Sequence, residues 1–301
     1  MNQNIDVLIV GGGPAGLTAA LTLARGGRVV MVCDDGQPRN ARASHMQNFP
    51  SRDGTPPAEF RDQIKKDLAK YEHVYFNNIG VQSITKNNQQ FDIVLNDQTK
   101  FTVKKIILAH GVKDTLPDLP GVNEIFGKSL FFCPYCHGYE HKNQPIALLG
   151  NGDFIIHMAP IVSGLTNDLK VFTNGAATIS VEQMQKLQKH NIEVIEDEIE
   201  SFIHEGEDLK AIKLKNNKVI PRLFAFTHAN FKLRSDLGIK LGCELTEMGL
   251  YKMDEMGKTS VHGVFAAGDV VGMRHSVLMA CNSGQLAAAS TNYEILSERF
   301  V

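Results

Sequence analysis

The chain has 301 residues, of which 31 are basic and 33 acidic, and its formal net charge is −2. Its lysines are scattered along the chain, so the sequence does not predict the positive surface that nucleic acid or an anionic membrane requires. A content of 43% hydrophobic and 21% charged residues excludes fibrous and disordered classes. The length favours two domains, each with its own core.

The apolar runs and the cysteines bear on location and chemistry. The runs are as long as strands, and the longer ones are interrupted by glycine, proline or charge, so no membrane span is predicted. The first run opens into a glycine-rich turn with no basic segment before it, which argues against a secretory signal and favours the cytoplasm. Five cysteines with one close pair indicate catalysis or metal binding, not a disulfide framework.

The chain opens with the pattern of a βαβ unit. The pattern predicts a strand over Ile5–Val10, a helix over Pro14–Arg25 and a strand over 28–33. The intervening loop has the GxGxxG spacing of dinucleotide-binding folds, in which glycines allow a tight turn, a close approach to a pyrophosphate and close packing of helix on strand. The N–H groups at the helix start attract phosphate. The predicted loop residues are Gly11, Gly13, Pro14, Ala15 and Gly16.

A carboxylate follows at the end of the second strand. Asp34 is predicted to accept hydrogen bonds from an adenosine ribose, and Asp35 is the alternative. A glycine turn that binds nothing is the structural alternative for the whole motif. The motif by itself does not separate FAD from NAD.

The sequence Cys133-Pro-Tyr-Cys136 follows an apolar run. Cys133 is expected at the N-cap of a helix and Pro134 at its first position, which would lower a thiolate pKa and suit disulfide exchange. The alternatives are half of a zinc site, which needs two further ligands, and an inert buried pair. His137 directly follows and is a candidate acid or base. Three other histidines are expected to be solvated loop residues: His141, His157 and His275.

The remaining patterns complete the organisation. Hairpins are predicted over 80–103, a strand over 106–109, and a Pro/Gly break at the domain crossing over 116–121. A second βαβ unit comprises a strand over Ile146–Leu149, a turn with Gly150 and Gly152, a helix, and a strand over 170–173. A last helix is predicted over 281–296. The predicted fold class is α/β, with two Rossmann-like dinucleotide-binding domains, the second inserted into the first: 1–114 with 237–301, and 115–236 carrying the cysteine pair.

These elements, in this order, resemble the low-molecular-weight thioredoxin reductases over most of the chain. The segment 259–269 is similar to the FAD-closing motif of flavoprotein disulfide reductases, which implies FAD as cofactor and Asp269 at its ribityl chain. The last helix is then expected to direct its N-terminus at the flavin. The resemblance also implies cofactor contacts at Arg39, Asn40, Asn48, Ala109, Gly111, Gly268, Gln285, Leu286 and Ala287.

The segments 34–40, 52–57 and 133–140 are closer still to the branch that contains gliotoxin and holomycin dithiol oxidases. The resemblance implies a homodimer, with Cys136 next to the flavin and Cys133 attacking the substrate. Two departures from thioredoxin reductases proper are informative. His137 stands where they carry Asp, and their Ala-Thr-Gly reads Ala109-His110-Gly111 here.

The second glycine loop departs further from the fingerprint. Ile155 stands at its third position, where Gly or Ala is usual, and no arginine lies between Arg61 and Arg222 to meet a 2′-phosphate. Asn174 is expected to reach a ribose hydroxyl instead. NADPH, NADH and no nicotinamide at all therefore stay open as electron donors, and we expect little discrimination between the first two.

Three functions follow from these residues. In the first, an FAD-dependent thiol-disulfide oxidoreductase passes electrons from NAD(P)H through FAD and the cysteine pair to a thioredoxin-like protein or a small-molecule disulfide. In the second, a dithiol oxidase runs electrons from a small-molecule dithiol to oxygen. The third is a flavin- or metal-binding regulatory protein without turnover. No metal site is assigned.

Overall fold

The computed structural model describes residues 4–300. Its strands are β1 (Ile5–Val10), β2 (Val30–Cys33), β3 (Val74–Asn77), β4 (Val81–Asn87), β5 (Gln90–Leu95), β6 (Lys100–Leu108), β7 (Val112–Thr115), β8 (Leu130–Phe131), β9 (Ile146–Leu149), β10 (Leu169–Phe172), β11 (Glu193–Ile195), β12 (Ile199–Glu205), β13 (Asp208–Leu214), β14 (Val219–Pro221), β15 (Phe224–Thr227), β16 (Asn230–Leu233) and β17 (Val264–Ala266).

The α-helices are α1 (Pro14–Arg25), α2 (Pro57–Leu68), α3 (Val122–Ile125), α4 (Pro134–His137), α5 (Asp153–Ser163), α6 (Val181–Lys189), α7 (Leu237–Lys240) and α8 (Val277–Ser297). Short 3-10 helices cover Tyr139–His141 and Gly268–Val270. Within residues 4–300, no helix combines the length and the apolar character that crossing a membrane requires.

The chain divides into two compact units. Unit 1 contains the chain up to Ala41, Thr55–Lys113 and the chain from Phe231, and unit 2 contains Arg42–Gly54 and Asp114–Asn230. The segment 42–54, which the sequence assigned to the first domain, thus groups with unit 2. The second boundary falls at Asn230, whereas the sequence placed it at residue 236.

Unit 1 is built on a sheet with strand order β3-β2-β1-β6-β5-β4. The strands β3, β2, β1 and β6 are parallel. The first half of β6 pairs with antiparallel β5, and its second half pairs with parallel β17. Every residue of β1 is buried because the sheet is covered on both faces. Val7 and Ile9 pack with α1 and α8, and Leu8 and Val10 belong to the core on the opposite face.

Unit 2 repeats the design on a parallel sheet of order β11-β10-β9-β15-β8, with a separate antiparallel sheet β12-β13-β14. Ile146 and Leu148 of β9 pack with α5 on one face. Ala147 and Leu149 share the other core with β12 and β13. The predicted α/β class with two Rossmann-like units is therefore confirmed.

The predicted bounds of β1, α1 and β9 agree with the structure, and α1 begins, as its sequence indicates, with Pro14 at its first position. The prediction for the last helix was wrong at its start, because α8 begins at Val277 and not at residue 281. The Ser276 side chain accepts a hydrogen bond from the Met279 N–H and caps the helix there.

Candidate functional site

The glycine loop of unit 1 lies at the carboxyl end of β1 and is held by close backbone contacts. The Gly11 N–H donates to the Cys33 carbonyl of β2 at 2.8 Å. Gly11 has φ +106°, and a Cβ there would overlap the Ala109 backbone. A Cβ on Gly16 would overlap the Gly11 carbonyl oxygen, so the helix and the strand approach as closely as they do only because this position is glycine.

Two carboxylates follow β2, and the structure distinguishes them. Asp34 lies beside the loop, where a Cβ built on Gly12 would be 2.8 Å from its carboxylate. Asp35 is exposed and pairs with Arg234 at 3.3 Å. Asp34 is therefore the better placed of the two for a ligand held by the loop.

A histidine, His110, follows β6 at the same edge of the sheet as the glycine loop. His110 Nδ1 lies 3.1 Å from the Gly111 carbonyl, which can only accept, so Nε2 accepts from the Tyr251 hydroxyl at 3.2 Å. The Tyr251 oxygen in turn accepts the Gly238 N–H at 3.2 Å. Burial lowers the pKa of His110 to about 4, so this imidazole is neutral.

The Tyr251 contact also reaches the segment predicted to bind the ribityl chain. Tyr251 is fully buried, and its N–H donates to the Val270 carbonyl at 2.8 Å, next to Asp269. Sequence reasoning noticed the unusual His110 but had no signal for Tyr251, because the partners are far apart in the chain. The pair thus ties the end of β6 to the Asp269 turn.

Asp269 forms a polar cluster with Arg39 and His275. Arg39 Nη1 donates to Asp269 Oδ2 at 2.9 Å and to His275 Nδ1 at 2.7 Å. Since Nδ1 accepts, the proton of the neutral imidazole is on Nε2. That Nε2 is buried and makes no hydrogen bond of good geometry among residues 4–300, although the backbone of Asp269 and Gly272 lies close to the ring. Burial lowers the pKa of His275, and the expectation that His275 is a solvated loop residue was wrong.

Helix α8 closes the same edge of the sheet. Its Ser283 Oγ accepts the Gly268 N–H at 2.8 Å. A Cβ on Gly284 would overlap the Ala15 carbonyl oxygen, so α8 crosses the start of α1 in close contact. Gly284 is a residue that sequence reasoning missed, although an isolated glycine in an alanine-rich helix is a recognisable packing signal.

Several predicted cofactor contacts do not join this cluster. Because α8 begins at Val277, Gln285 and Leu286 are exposed residues within the helix and not at its N-terminal turn, and Ala287 is in the core. Asn40 directly follows Arg39 and is partly buried. Asn48 lies in the segment 42–54 of unit 2, where its N–H donates to Asp53 Oδ1 at 2.6 Å.

In unit 2 the sulfurs of Cys133 and Cys136 are joined in a disulfide, with Cα atoms 5.3 Å apart. Cys133 is the N-cap of α4 and Pro134 its first residue, as predicted. The disulfide is the oxidised form of a dithiol pair and not a pair of free thiolate ligands. Among residues 4–300, the one group of three ligating side chains close enough to hold a metal is His262, Glu294 and Glu298, and lysines already pair with both of its carboxylates.

Behind the disulfide, two histidines and two phenylalanines form a stack. His137 stacks on Phe131 at 3.8 Å between ring centroids, and His141 stacks on Phe224 at 3.6 Å. Phe131 and Phe224 stack on each other at 5.3 Å. Burial lowers the pKa of His137 to about 4, and it lowers the pKa of His141 as well. His137 is thus a neutral imidazole that directly follows Cys136, and its low pKa makes it a weak base. His141 is half-buried and stacked, contrary to expectation.

The second glycine loop lies at the carboxyl end of β9, where the Gly150 N–H donates to the Phe172 carbonyl of β10 at 3.1 Å. Ile155 is fully buried in the core that α5 forms with the sheet. Gly152 has φ +60° and is the N-cap of α5. Asn174 uses its side-chain oxygen to accept the Ile199 N–H at 2.7 Å, so that oxygen is already occupied.

Two Rossmann-type units with a disulfide-forming pair define the class of the dinucleotide-dependent disulfide oxidoreductases, and comparisons with known proteins agree. A family profile described as pyridine nucleotide-disulphide oxidoreductase matches residues 5–290. The chain is 32% identical over 307 residues to the thioredoxin reductase tcpT of Claviceps purpurea, covering 98% of this chain and 95% of that protein.

Solved structures agree with the sequence relatives. A putative thioredoxin reductase TrxB from Bacillus anthracis superimposes with a TM-score of 0.93 at 34% identity, covering 98% of this chain and all of that one (100%). HlmI superimposes with a TM-score of 0.93 at 32% identity, covering 100% of this chain and 95% of that one.

The chain belongs to the pyridine nucleotide-disulphide oxidoreductase family and is a thioredoxin-reductase-like flavoprotein disulfide oxidoreductase. The resemblance drawn from the sequence is confirmed, and the hypothesis of a regulatory protein without turnover was wrong. Membership implies the use of a flavin and of NAD(P)H.

Proposed function

We propose that the protein is an FAD-dependent thiol-disulfide oxidoreductase that reduces an external disulfide, either of a thioredoxin-like protein or of a small molecule, through Cys133 and Cys136. The disulfide between these residues carries the proposal, because a reversible two-electron couple is what such a reaction needs. The homodimer implied by the resemblance is part of the same proposal.

The edge of unit 1 fits FAD in two respects. A Cβ on Gly13 would meet no protein atom within 4 Å, so the backbone there is open to a pyrophosphate, and Asp34 lies beside it for the ribose. His275 Nε2 is a buried donor that makes no hydrogen bond of good geometry, and a well-placed acceptor would stabilise it. A ribityl or ring oxygen near Asp269 is such an acceptor. When bound, the flavin supplies two-electron exchange with the disulfide.

The cysteines then have distinct tasks. The Cys133 thiolate attacks the external disulfide, forms a mixed disulfide and releases one thiolate. Cys136 attacks Cys133, releases the second thiolate and regenerates the internal disulfide. His137 directly follows Cys136 and is the proposed acid-base group, and its low pKa makes it a weak base while the disulfide is intact.

The experiment is trapping of the mixed disulfide. The Cys136→Ser variant should accumulate a covalent adduct with a substrate disulfide such as oxidised thioredoxin or an aromatic disulfide, seen by mass spectrometry, because no resolving sulfur remains. The Cys133→Ser variant is the matched control and should accumulate far less. Equal adducts on both variants, or full turnover by either, would contradict the assignment.

A second candidate is the dithiol oxidase, in which two electrons pass from a small-molecule dithiol to oxygen, giving a disulfide and hydrogen peroxide. The departure of the second glycine loop from the fingerprint, with buried Ile155 at its third position, favours this candidate. Anaerobic titration with NADH, NADPH and a dithiol, followed at the visible flavin band, separates the two. Rapid bleaching by the dithiol alone selects the oxidase.

A further inference from the structure

The loop that follows β10 is bound to the glycine loop of unit 2 by one side chain, Asn151. Asn151 Nδ2 donates to the Ala176 carbonyl at 2.8 Å. Its Oδ1 accepts from the Thr178 N–H at 2.7 Å and from the Thr178 hydroxyl at 3.0 Å. We call these three contacts the Asn151 clamp.

The clamp occupies groups that a dinucleotide would use. Asn151 Oδ1 also accepts the Gly152 N–H at 2.9 Å, and the N–H groups of such a loop are the ones that face a pyrophosphate. A Cβ built on Gly152 would lie 3.2 Å from Thr178 Oγ1. Gly13, the equivalent glycine of unit 1, has no atom within 4 Å on that side, so Thr178 covers a face that is open in unit 1. The Phe154 ring likewise covers Gly150.

A carboxylate from the loop after β11 contacts the loop after β10. Glu196 follows β11 and is exposed, and its Oε1 accepts the Ala177 N–H at 2.6 Å. Its carbonyl also accepts the Gly175 N–H at 3.0 Å. In dinucleotide-binding folds the acidic residue that meets a ribose 2′-hydroxyl follows the second strand, here β10, and a nearby arginine accommodates a 2′-phosphate. Glu196 follows the next strand, and its contact with Ala177 places its carboxylate beside the loop after β10. A carboxylate repels a phosphate dianion, and salt screens this repulsion.

We propose that Asn151 closes the dinucleotide loop of unit 2 onto its own chain and that Glu196 selects against a 2′-phosphate, so that a nicotinamide cofactor must displace the clamp and NADPH is disfavoured. The contacts of Asn151 and the charge of Glu196 do not fit an open NADPH site. The inference rests on the proposed role of unit 2 as the nicotinamide-binding-type unit. It is independent of the disulfide substrate and of the direction of electron flow.

The test is a binding titration on the holoprotein with two redox-inert probes, ADP-ribose and 2′-phospho-ADP-ribose, by calorimetry. Asn151→Ala should tighten both probes by a similar factor, on the order of tenfold, since the hydrogen bonds that are displaced each contribute about 0.5–1.5 kcal/mol and tenfold corresponds to about 1.4 kcal/mol. Thr178→Ala, which removes only the hydroxyl contact, should act in the same direction and less. Glu196→Gln should tighten the 2′-phosphorylated probe alone, by severalfold and less at high salt.

Matched controls lie on the hairpins of the same unit. Asn216→Ala removes an exposed amide that pairs with Asp197. Glu200→Gln removes an exposed carboxylate that pairs with Lys213. Neither variant should change the affinity for either probe. Circular dichroism checks that every variant is folded. The clamp is overturned if Asn151→Ala and Thr178→Ala bind both probes no more tightly than the wild type. The role of Glu196 is overturned if the wild type binds the 2′-phosphorylated probe ten times more tightly than ADP-ribose. Because no electrons move in this assay, failure of the disulfide reaction would leave its result intact.

Discussion

The two glycine loops share a spacing and a position, and they differ in what surrounds them. In both, the first glycine N–H donates to the end of the second strand, from Gly11 to Cys33 and from Gly150 to Phe172. In unit 1 the second glycine of the fingerprint, Gly13, is open, and the third, Gly16, is in tight contact with the Gly11 carbonyl. In unit 2 the next glycine is covered by Thr178 and the third position is a buried isoleucine. Loops at equivalent positions are thus open in unit 1 and closed in unit 2.

The difference at the third position accompanies a difference in how each helix begins. Leu17 N–H bonds to the Gly13 carbonyl with α-helical spacing, whereas Ile155 N–H bonds to the Gly152 carbonyl with the tighter 3-10 spacing. A side chain at that position must be packed, and Ile155 is packed into the core beside Ile146. The second glycines differ as well, since Gly13 has φ −75° and Gly152 has φ +60°.

Valine at the third position of unit 1 should give the largest effect. Gly16→Val would push a side chain into the Gly11 carbonyl oxygen, and we expect purified protein with at most about one hundredth of the wild-type affinity for FAD, since displacing the loop removes several charge-assisted hydrogen bonds of about 1.5–3 kcal/mol each. The ratio of flavin to protein absorbance measures it. Gly13→Ala is the contrast, which should weaken FAD binding without unfolding the protein. Full flavin content in Gly16→Val would show that FAD is not held by this loop.

Acid should destabilise both units through their buried histidines, of which His110 and His137 have the largest shifts. His110 and His137 have pKa values of about 4 in the fold, below the ordinary value of about 6.5 in an unfolded chain. The fold favours the neutral form, so stability is present above pH about 6.5 and is lost as the pH falls towards 4, by roughly 3 kcal/mol for His110.

Urea unfolding between pH 7 and 4.5 measures this loss. His110→Gln should flatten the dependence on pH, while His190→Gln, at an exposed position after α6, should leave it unchanged. A wild-type slope that His110→Gln does not alter would mean that His110 titrates normally.

Removing the Tyr251 hydroxyl should have a smaller effect and one confined to unit 1. Tyr251→Phe leaves the acceptor of His110 and the Gly238 N–H without partners, which should lower the free energy of unfolding by about 1–3 kcal/mol. Thermal unfolding checks this, with Tyr293→Phe, 71% exposed, as control. If the two variants melt together, the hydrogen bonds are not stabilising.

Valine in unit 2 should give the smallest effect of the series. Ile155→Val removes one methylene from a filled core and should cost about 0.5–1.5 kcal/mol of unfolding free energy without changing flavin content. Valine is thus expected to abolish most flavin binding at position 16 and to cause only a small loss of stability at position 155. Comparable damage from both would mean that the two loops are packed alike.

The sequence predicted what is local and missed what is not. The apolar run of β1, the glycines and Pro14 specify the first βαβ unit, so its bounds could be read directly. The start of α8 was misplaced because the Ser276 cap is a single residue among several competing polar ones. His275, Tyr251 and the Asn151 clamp depend on partners brought together by the fold, and neither periodicity nor motif spacing encodes such pairings.

The order in which the chain is made gives the contact of α8 with α1 a further consequence. Gly284 meets Ala15 only after α8 has been made, so this edge of unit 1 is completed later in synthesis than the sheet of unit 2. The bulk of unit 2, from Asp114 to Asn230, is made earlier and as one stretch. We therefore expect the cysteine pair to reach a folded environment before the chain acquires its flavin, with its first oxidation state set by thiols in the surroundings rather than by the cofactor.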